Sequence, residues 1–178
     1  MNEVIEAMRE RRSVRAYTEE VPSDELIERV VDAGLWAASG RGRQSPIVLA
    51  LRDRLSAMNA RIMGAPEGTD PFYGAPVVLV VLADRSVPTH VYDGSLVMGN
   101  LMLAAHELGL GSCWIHRARE EFDTPEGRQI LADLGVEGDY EGRGRGPRAQ
   151  ATPGGPSGLG PLGPRAARSS RRRALPLC

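Results

Sequence analysis

The sequence has 178 residues, 42% of them hydrophobic, and a formal net charge of −1, which bounds it to a single domain with a sizeable core. Its two cysteines, Cys113 and Cys178, exclude a disulfide framework or a clustered-cysteine metal site. Its longest apolar stretches, such as Ala75 to Ala83, fall well short of the roughly 20 residues a membrane-spanning helix needs, and the start Met-Asn-Glu-Val-Ile-Glu has no basic-then-apolar leader, so a cytoplasmic protein with no membrane partner is expected.

Glu3 to Arg12 carries Val4, Ile5 and Met8 at helical spacing and ends in an arginine-rich turn. Ser23 is placed to cap a second helix with the apolar stripe Leu26, Ile27, Val30, Val31 and Leu35, and Asp24 and Glu25 complement the dipole at its start. Ile47 to Leu51 is a short β-rich run, and Pro76 to Ala83 (PVVLVVLA) has the continuous apolar character of a strand buried on both faces. Asp93 to Leu108 is apolar nearly all round. That predicts a central helix buried on most sides, with Met98 and Met102 filling core and Gly109 as a stop. Ser112 to Ile115 is expected as a third strand, and TPEGRQILADLGV as a helix capped by Thr124, with Pro125 in its first turn and Gly135 at its end.

Three segments carry residue types suited to chemistry. Arg11, Arg12, Ser13 and Arg15 (RRSVR) gather three guanidinium groups and a hydroxyl, a set that pairs with phosphate oxygens. A solvated basic helix end, stabilised by the negative C-terminal dipole, has the same composition. Ala37 to Pro46 (AASGRGRQSP) is a small polar loop in which backbone amides approach a ligand closely and Gln44 offers both donor and acceptor; a plain connecting loop reads alike. Gly109-Leu110-Gly111-Ser112 terminates a helix before a strand and contains no full GxGxxG fingerprint. Cys113 reads as a small buried hydrophobe, and His90 and His106 form no pair with metal-ligand spacing.

Taken in order, RRSVRAYT, AASGRGRQSP, FYGAPVVLVVLAD, the long helix from Asp93 and LGLGSCWIHRAREEF resemble the FMN-dependent nitroreductase family over residues 3 to about 142. The resemblance implies an α+β fold with helices flanking a central mixed sheet, an intertwined homodimer, two FMN sites at its interface and NAD(P)H as electron donor. It implies that Arg11, Arg12, Ser13 and Arg15 hold the FMN phosphate, ribityl chain and pyrimidine edge. Ser39, Gly40 and Gln44 match the loop that reaches the flavin from the opposite subunit, although Gly42 stands where an asparagine is frequent. Ile115 and His116 match the strand end whose backbone amide approaches flavin N5, with Gly111 and Ser112 leading into it, and Tyr73 matches an aromatic at the substrate mouth. The expected reaction is hydride transfer from NAD(P)H to flavin N5 and on to a nitroaromatic, quinone or similar small acceptor, without a side-chain nucleophile.

The tail departs from this pattern. Residues 1–142 hold all 23 acidic residues and 14 arginines, a formal −9, whereas residues 143–178 hold 8 arginines and no acid, a formal +8. With 7 glycines, 6 prolines and no aromatic residue in 36 positions, the tail lacks the apolar area to offset its ordering entropy, so disorder is expected there. Its composition is that of GC-rich DNA read out of frame, and a frameshift near codon 143 is the reading adopted. A natural arginine-rich tail would attract nucleic acid, but this one has no aromatic residue for stacking on bases. Losing the terminal strand and crossing arm of the family would leave, as the alternative, a flavin-binding protein with impaired or no turnover.

Overall fold

The structure, a computed structural model, describes residues 2–52, 56–66 and 68–145, and of residues 143–145 the backbone alone. Helix α1 (Glu3–Glu10) begins where the Asn2 side chain accepts from Val4 N–H, and it ends two residues before the expected Arg12 because Arg11 turns to an extended ψ of 128°. Helix α2 (Asp24–Leu35) is capped by Ser23, whose hydroxyl accepts from Leu26 N–H at 3.3 Å, and it buries Ile27, Val30 and Val31 as its stripe requires. Strand β1 (Pro46–Leu51), helix α3 (Ser56–Ile62), strand β2 (Val78–Asp84) and helix α4 (His90–Glu107) follow. Two short helices, α5 (Ala118–Phe122) and α6 (Pro125–Asp133), lead to β3 (Tyr140–Arg145), α6 carrying the expected Thr124 cap on Gly127 N–H.

The fold class is α+β, as the sequence implies, with β2 central in a sheet of order β1-β2-β3. The sheet is antiparallel throughout the described strands: Pro46 lies opposite Ala83 and Leu51 opposite Val78, while Asp84 lies opposite Tyr140 and Val80 opposite Arg145. The mixed character expected of it reduces, among the described residues, to one parallel bridge outside the strands, between Ser13 and Ser112. That bridge also corrects the strand expected at Ser112 to Ile115. A strand needs a continuous ladder along its length, and here the segment is met at separate points, Val14 N–H donating to the Ser112 carbonyl at 2.9 Å and Ile115 forming a bridge of its own.

Alternation along β2 sends Leu79 and Val81 into a core with Ile27, Val30, Val97 and Leu101, and Val78, Val80 and Leu82 into a second core with Met58, Phe72 and Phe122. Each fully buried apolar side chain contributes about 1.5–3 kcal/mol. Helix α4 departs from the expected burial on most sides. It buries Asp93, Gly94, Val97, Met98, Leu101 and Ala105, but within the expected range Ser95, Leu96, Gly99 and Glu107 are exposed, Leu96 to 49%. Strand β3 runs three residues beyond Gly142, where the sequence pattern was expected to stop. Gly142 is required there, since a Cβ would lie 2.2 Å from the Ala118 carbonyl carbon, so the strand presses directly on α5.

Burial and the adjacent Asp84 raise the Tyr140 phenol above its ordinary value of 10.0. The folded state therefore holds this proton to higher pH than the unfolded chain, and the contribution, complete below pH 10.0, is lost as pH rises through the folded value. Tyr140→Phe should flatten the alkaline fall of the melting temperature above about pH 10 while leaving the neutral value within a few degrees. Melting curves across that range check this.

Candidate functional site

The bridge at Ser13 and Ser112 joins the two segments that carry the family resemblance most strongly. Gly111 admits the contact: a Cβ there would meet the Val14 side chain at 3.1–3.3 Å. Two polar atoms on these segments, Arg11 Nη1 and Ser112 Oγ, are buried with no hydrogen-bond partner among the described residues. Such groups cost about 1–3 kcal/mol each unless something satisfies them. Arg12 behaves differently, folding back so that its Nη1 donates to the carbonyls of Arg9 and, at 2.9 Å, Arg11; it neutralises the end of α1. Ser13 and Arg15 are exposed. Downstream, Cys113 is buried as expected, Ile115 is half-buried, and the half-exposed Trp114 meets His116 edge-on at 5.9 Å.

The second segment is built on a carboxylate. Asp93, 2% exposed in the first turn of α4, accepts from Gly40 N–H at 2.9 Å, Ser45 Oγ at 3.0 Å and Thr89 Oγ1 at 3.0 Å. Within the loop, Ser39 Oγ accepts from Gln44 N–H at 3.0 Å. Arg41 and Gln44 sit at φ 57° and 51°, in the left-handed region that side chains with a Cβ disfavour, so the loop is held rather than relaxed. The sequence pattern marks Asp93 only as the start of an apolar helix. An acid inside an otherwise apolar run was the signal, because a buried carboxylate needs donors from elsewhere in the chain.

The chain does not bring these segments together. Asp93 and Glu107 lie at opposite ends of α4, about 20 Å apart at 1.5 Å per residue; the Ser39–Ser45 loop sits at the first end and Ser112 just beyond the second. Tyr73 is also remote from the loop, on the turn preceding the Val78 end of β2, whereas Ser45 accompanies the Asp84 end. Tyr73 is 45% exposed at φ 56°, on a turn fixed by Asp70, whose carboxylate accepts from Phe72 N–H at 2.8 Å, from Gly74 N–H and from Ser56 Oγ. Arg11, Ser13, Gly111 and Ser112 thus fall at one end of α4, with Arg15, Ile115 and His116 adjoining them in sequence, and Ser39, Gly40 and Gln44 fall at the other.

The family model described as "Nitroreductase family" matches residues 8–66 and 57–140, nearly all of the described chain. The chain belongs to the nitroreductase family. It is 32% identical over 116 residues to a Methanothermobacter thermautotrophicus protein named for NADH dehydrogenase/NAD(P)H nitroreductase, covering 63% of this chain and 60% of that protein. It is 27% identical over 141 residues to the FMN reductase [NAD(P)H] of Bacillus subtilis, covering 67% of this chain and 56% of the reductase. The chain therefore spans somewhat over half the length of these two relatives. The crystal structure of a Bacteroides fragilis nitroreductase with bound FMN superposes with a TM-score of 0.75 at 26% identity, covering 92% of this chain and 96% of that one.

A groove of about 710 Å³ lies elsewhere in the chain, between α1, α2 and α4. Val4, Ala7, Ala33, Leu103 and Leu108 line it, with Glu3, Glu25, Glu28, Asp32 and Glu107 among its polar residues. None of the residues assigned by resemblance contributes to it. The groove also carries Arg29, whose Nε is buried without a hydrogen-bond partner among the described residues, as Arg11 Nη1 and Ser112 Oγ are at the Ser13–Ser112 junction. No group of His, Cys, Asp or Glu among the described residues is arranged to hold a metal, and no described helix is long and apolar enough to cross a membrane.

The Gly40 position gives a direct test of the loop anchor. A Cβ there would lie 2.2 Å from Thr89 Oγ1, so Gly40→Ala should destabilise the protein by about 1–3 kcal/mol, and adding Thr89→Ala should recover part of that loss. Thermal melting of the two variants and the parent measures both effects.

Proposed function

We propose that this chain is an FMN-dependent oxidoreductase that uses NAD(P)H to reduce a nitroaromatic, a quinone or a similar small acceptor, and that it works as a homodimer. The observation that carries this reading is the junction of Ser13 with Ser112, where Arg11 Nη1 and Ser112 Oγ are buried with no hydrogen-bond partner among the described residues. A phosphate or a flavin edge supplies such acceptors, so the residues fit FMN. The names of the relatives point the same way: the Bacillus subtilis protein is an FMN reductase, and the Bacteroides fragilis one carries FMN.

In this reading Arg11, Ser13 and Arg15 hold the phosphate, ribityl chain and pyrimidine edge, and Arg12, engaged with helix carbonyls, contributes charge more than direct bonds. Gly111, Ser112, Ile115 and His116 bring backbone to the ring, and Tyr73 and Trp114 offer exposed aromatic surface to an acceptor. FMN, when bound there, would supply the redox chemistry between NAD(P)H and the acceptor. The side chains bind and orient; none acts as a nucleophile. Ser39, Gly40 and Gln44 serve the flavin held by the other copy. Their separation from Ser112 by the length of α4 supports this, as do exposed Val4, Ile5 and Met8 on α1 and Tyr92 and Leu96 on α4, which need a partner surface.

Purified chain, supplemented with FMN and desalted, should show flavin absorption, a dimer's mass and bleaching on addition of NAD(P)H. A chain that retains no flavin overturns the reading, and flavin without bleaching leaves a binding protein without turnover. Replacing Arg11 and Arg15 together by Ala should weaken FMN retention at least tenfold, since two charge-assisted hydrogen bonds of about 1.5–3 kcal/mol each are lost. Equal flavin occupancy at the same ionic strength would remove the assigned phosphate site.

The arginine-rich tail we propose to be an out-of-frame product with no part in this chemistry. Expectations for residues 146–178 lie outside the described residues, but β3 reaches Arg145, so the division drawn at 142 and 143 cuts a strand. Deleting residues 146–178 should leave melting temperature and FMN content nearly unchanged. Deleting from residue 143 should lower the melting temperature, because the pairing of Val80 with Arg145 goes too.

A further inference from the structure

We infer that Asp93 is a positioning residue that sets Gln44 for the flavin of the partner copy; this rests on the function proposed above. Asp93 is buried, lies on α4 and touches no segment assigned to phosphate or ring, yet it holds both ends of the loop that carries Gln44. Gly40 N–H donates to one carboxylate oxygen at 2.9 Å, and Ser45 Oγ donates to the other at 3.0 Å. Between these two fixed points the chain has four residues, Arg41 to Gln44, and both Arg41 and Gln44 take the left-handed conformation. Thr89 Oγ1, also donating to Asp93 at 3.0 Å, closes the far side, and the space it fills excludes any side chain at residue 40. A short loop pinned at both ends on a rigid helix has few other conformations, so the direction of the exposed Gln44, whose N–H donates to Ser39 Oγ at 3.0 Å, depends also on a carboxylate it does not touch. Losing the anchor lets residues 41 and 44 relax to negative φ, and Gln44 moves with them.

A double-mutant cycle on the full chain separates this role from plain stability. FMN affinity is measured by flavin fluorescence, with visible circular dichroism of the bound flavin and the melting temperature of the flavin-free protein recorded alongside. Gln44→Ala should weaken FMN by about tenfold, the size of one well-placed hydrogen bond, and Asp93→Ala by a similar factor with the same change in the flavin dichroism. Combining the two should cost no more than the larger single effect, and Asp93→Asn, which keeps an acceptor for Gly40 N–H, should recover part of the affinity. Should Asp93→Ala not fold, Asp93→Asn takes its place in the cycle. Additive losses, or unchanged affinity in both Asp93 variants, overturn the positioning role while leaving the flavin enzyme intact. A parent chain that takes up no FMN overturns the functional reading itself.

Discussion

Residues Val78 to Ala83 of β2 are each at most 6% exposed, and a strand with no face for water needs an apolar layer on both sides and a paired strand at each edge. The remaining elements answer that need. Strands β1 and β3 occupy the two edges, α2 and α4 cover one face, and α3, α5 and α6 cover the other. After the turn at Arg85–Thr89 the chain returns along β2 as α4, which fixes where both ends of that helix fall. The candidate site is thus a by-product of covering β2, because its two clusters are whatever lies at the two ends of α4.

Polar groups close the end of the sheet where α4 begins. Glu141, on β3 and 7% exposed, faces Arg85 Nε at 3.3 Å, His90 Nε2 at 3.3 Å and Arg119 Nε at 3.4 Å. Arg85 also reaches Asp123 at 2.6 Å, so β3, α4 and α5 meet in one network of charges. Removing one member of such a network strands the others in a poorly solvated place, whereas an apolar replacement of the whole set can be as stable; its value lies in fixing which elements meet. With Asp93 a few residues further on, the start of α4 is held by two carboxylates, one bound to the sheet and one to the loop.

The opposite end of α4 is held by packing and by isolated bridges. There Val14 and Ser112 share one hydrogen bond, and Arg11 Nη1 and Ser112 Oγ remain without partners among the described residues. At the first end the charged groups lie within ion-pair distance of one another, Arg85 Nε standing 3.3 Å from Glu141. Apolar Val4, Ile5 and Met8 on α1 and Tyr92 and Leu96 on α4 stay exposed.

The sequence by itself determined what is local or periodic. Ser23 and Thr124 announce their helices because a cap needs only residues within one turn, and PVVLVVLA announces a buried strand because its pattern has no polar face. The order of RRSVR, AASGRGRQSP and LGLGSCWI carried the family. Tertiary structure decided what depends on partners distant in the chain. Ser112 to Ile115 has strand-like residues but forms isolated bridges in place of a ladder, and Asp93 looks like a helix start until Gly40 and Ser45 reach it from about 50 positions away. Strand β3 continues through a glycine and arginine stretch that reads as tail, because β2 offers it hydrogen bonds and α5 leaves room only for the Gly142 backbone. Propensity and periodicity act over a few residues, whereas a buried carboxylate, a bridge or an edge strand exists only when another part of the chain supplies its counterpart.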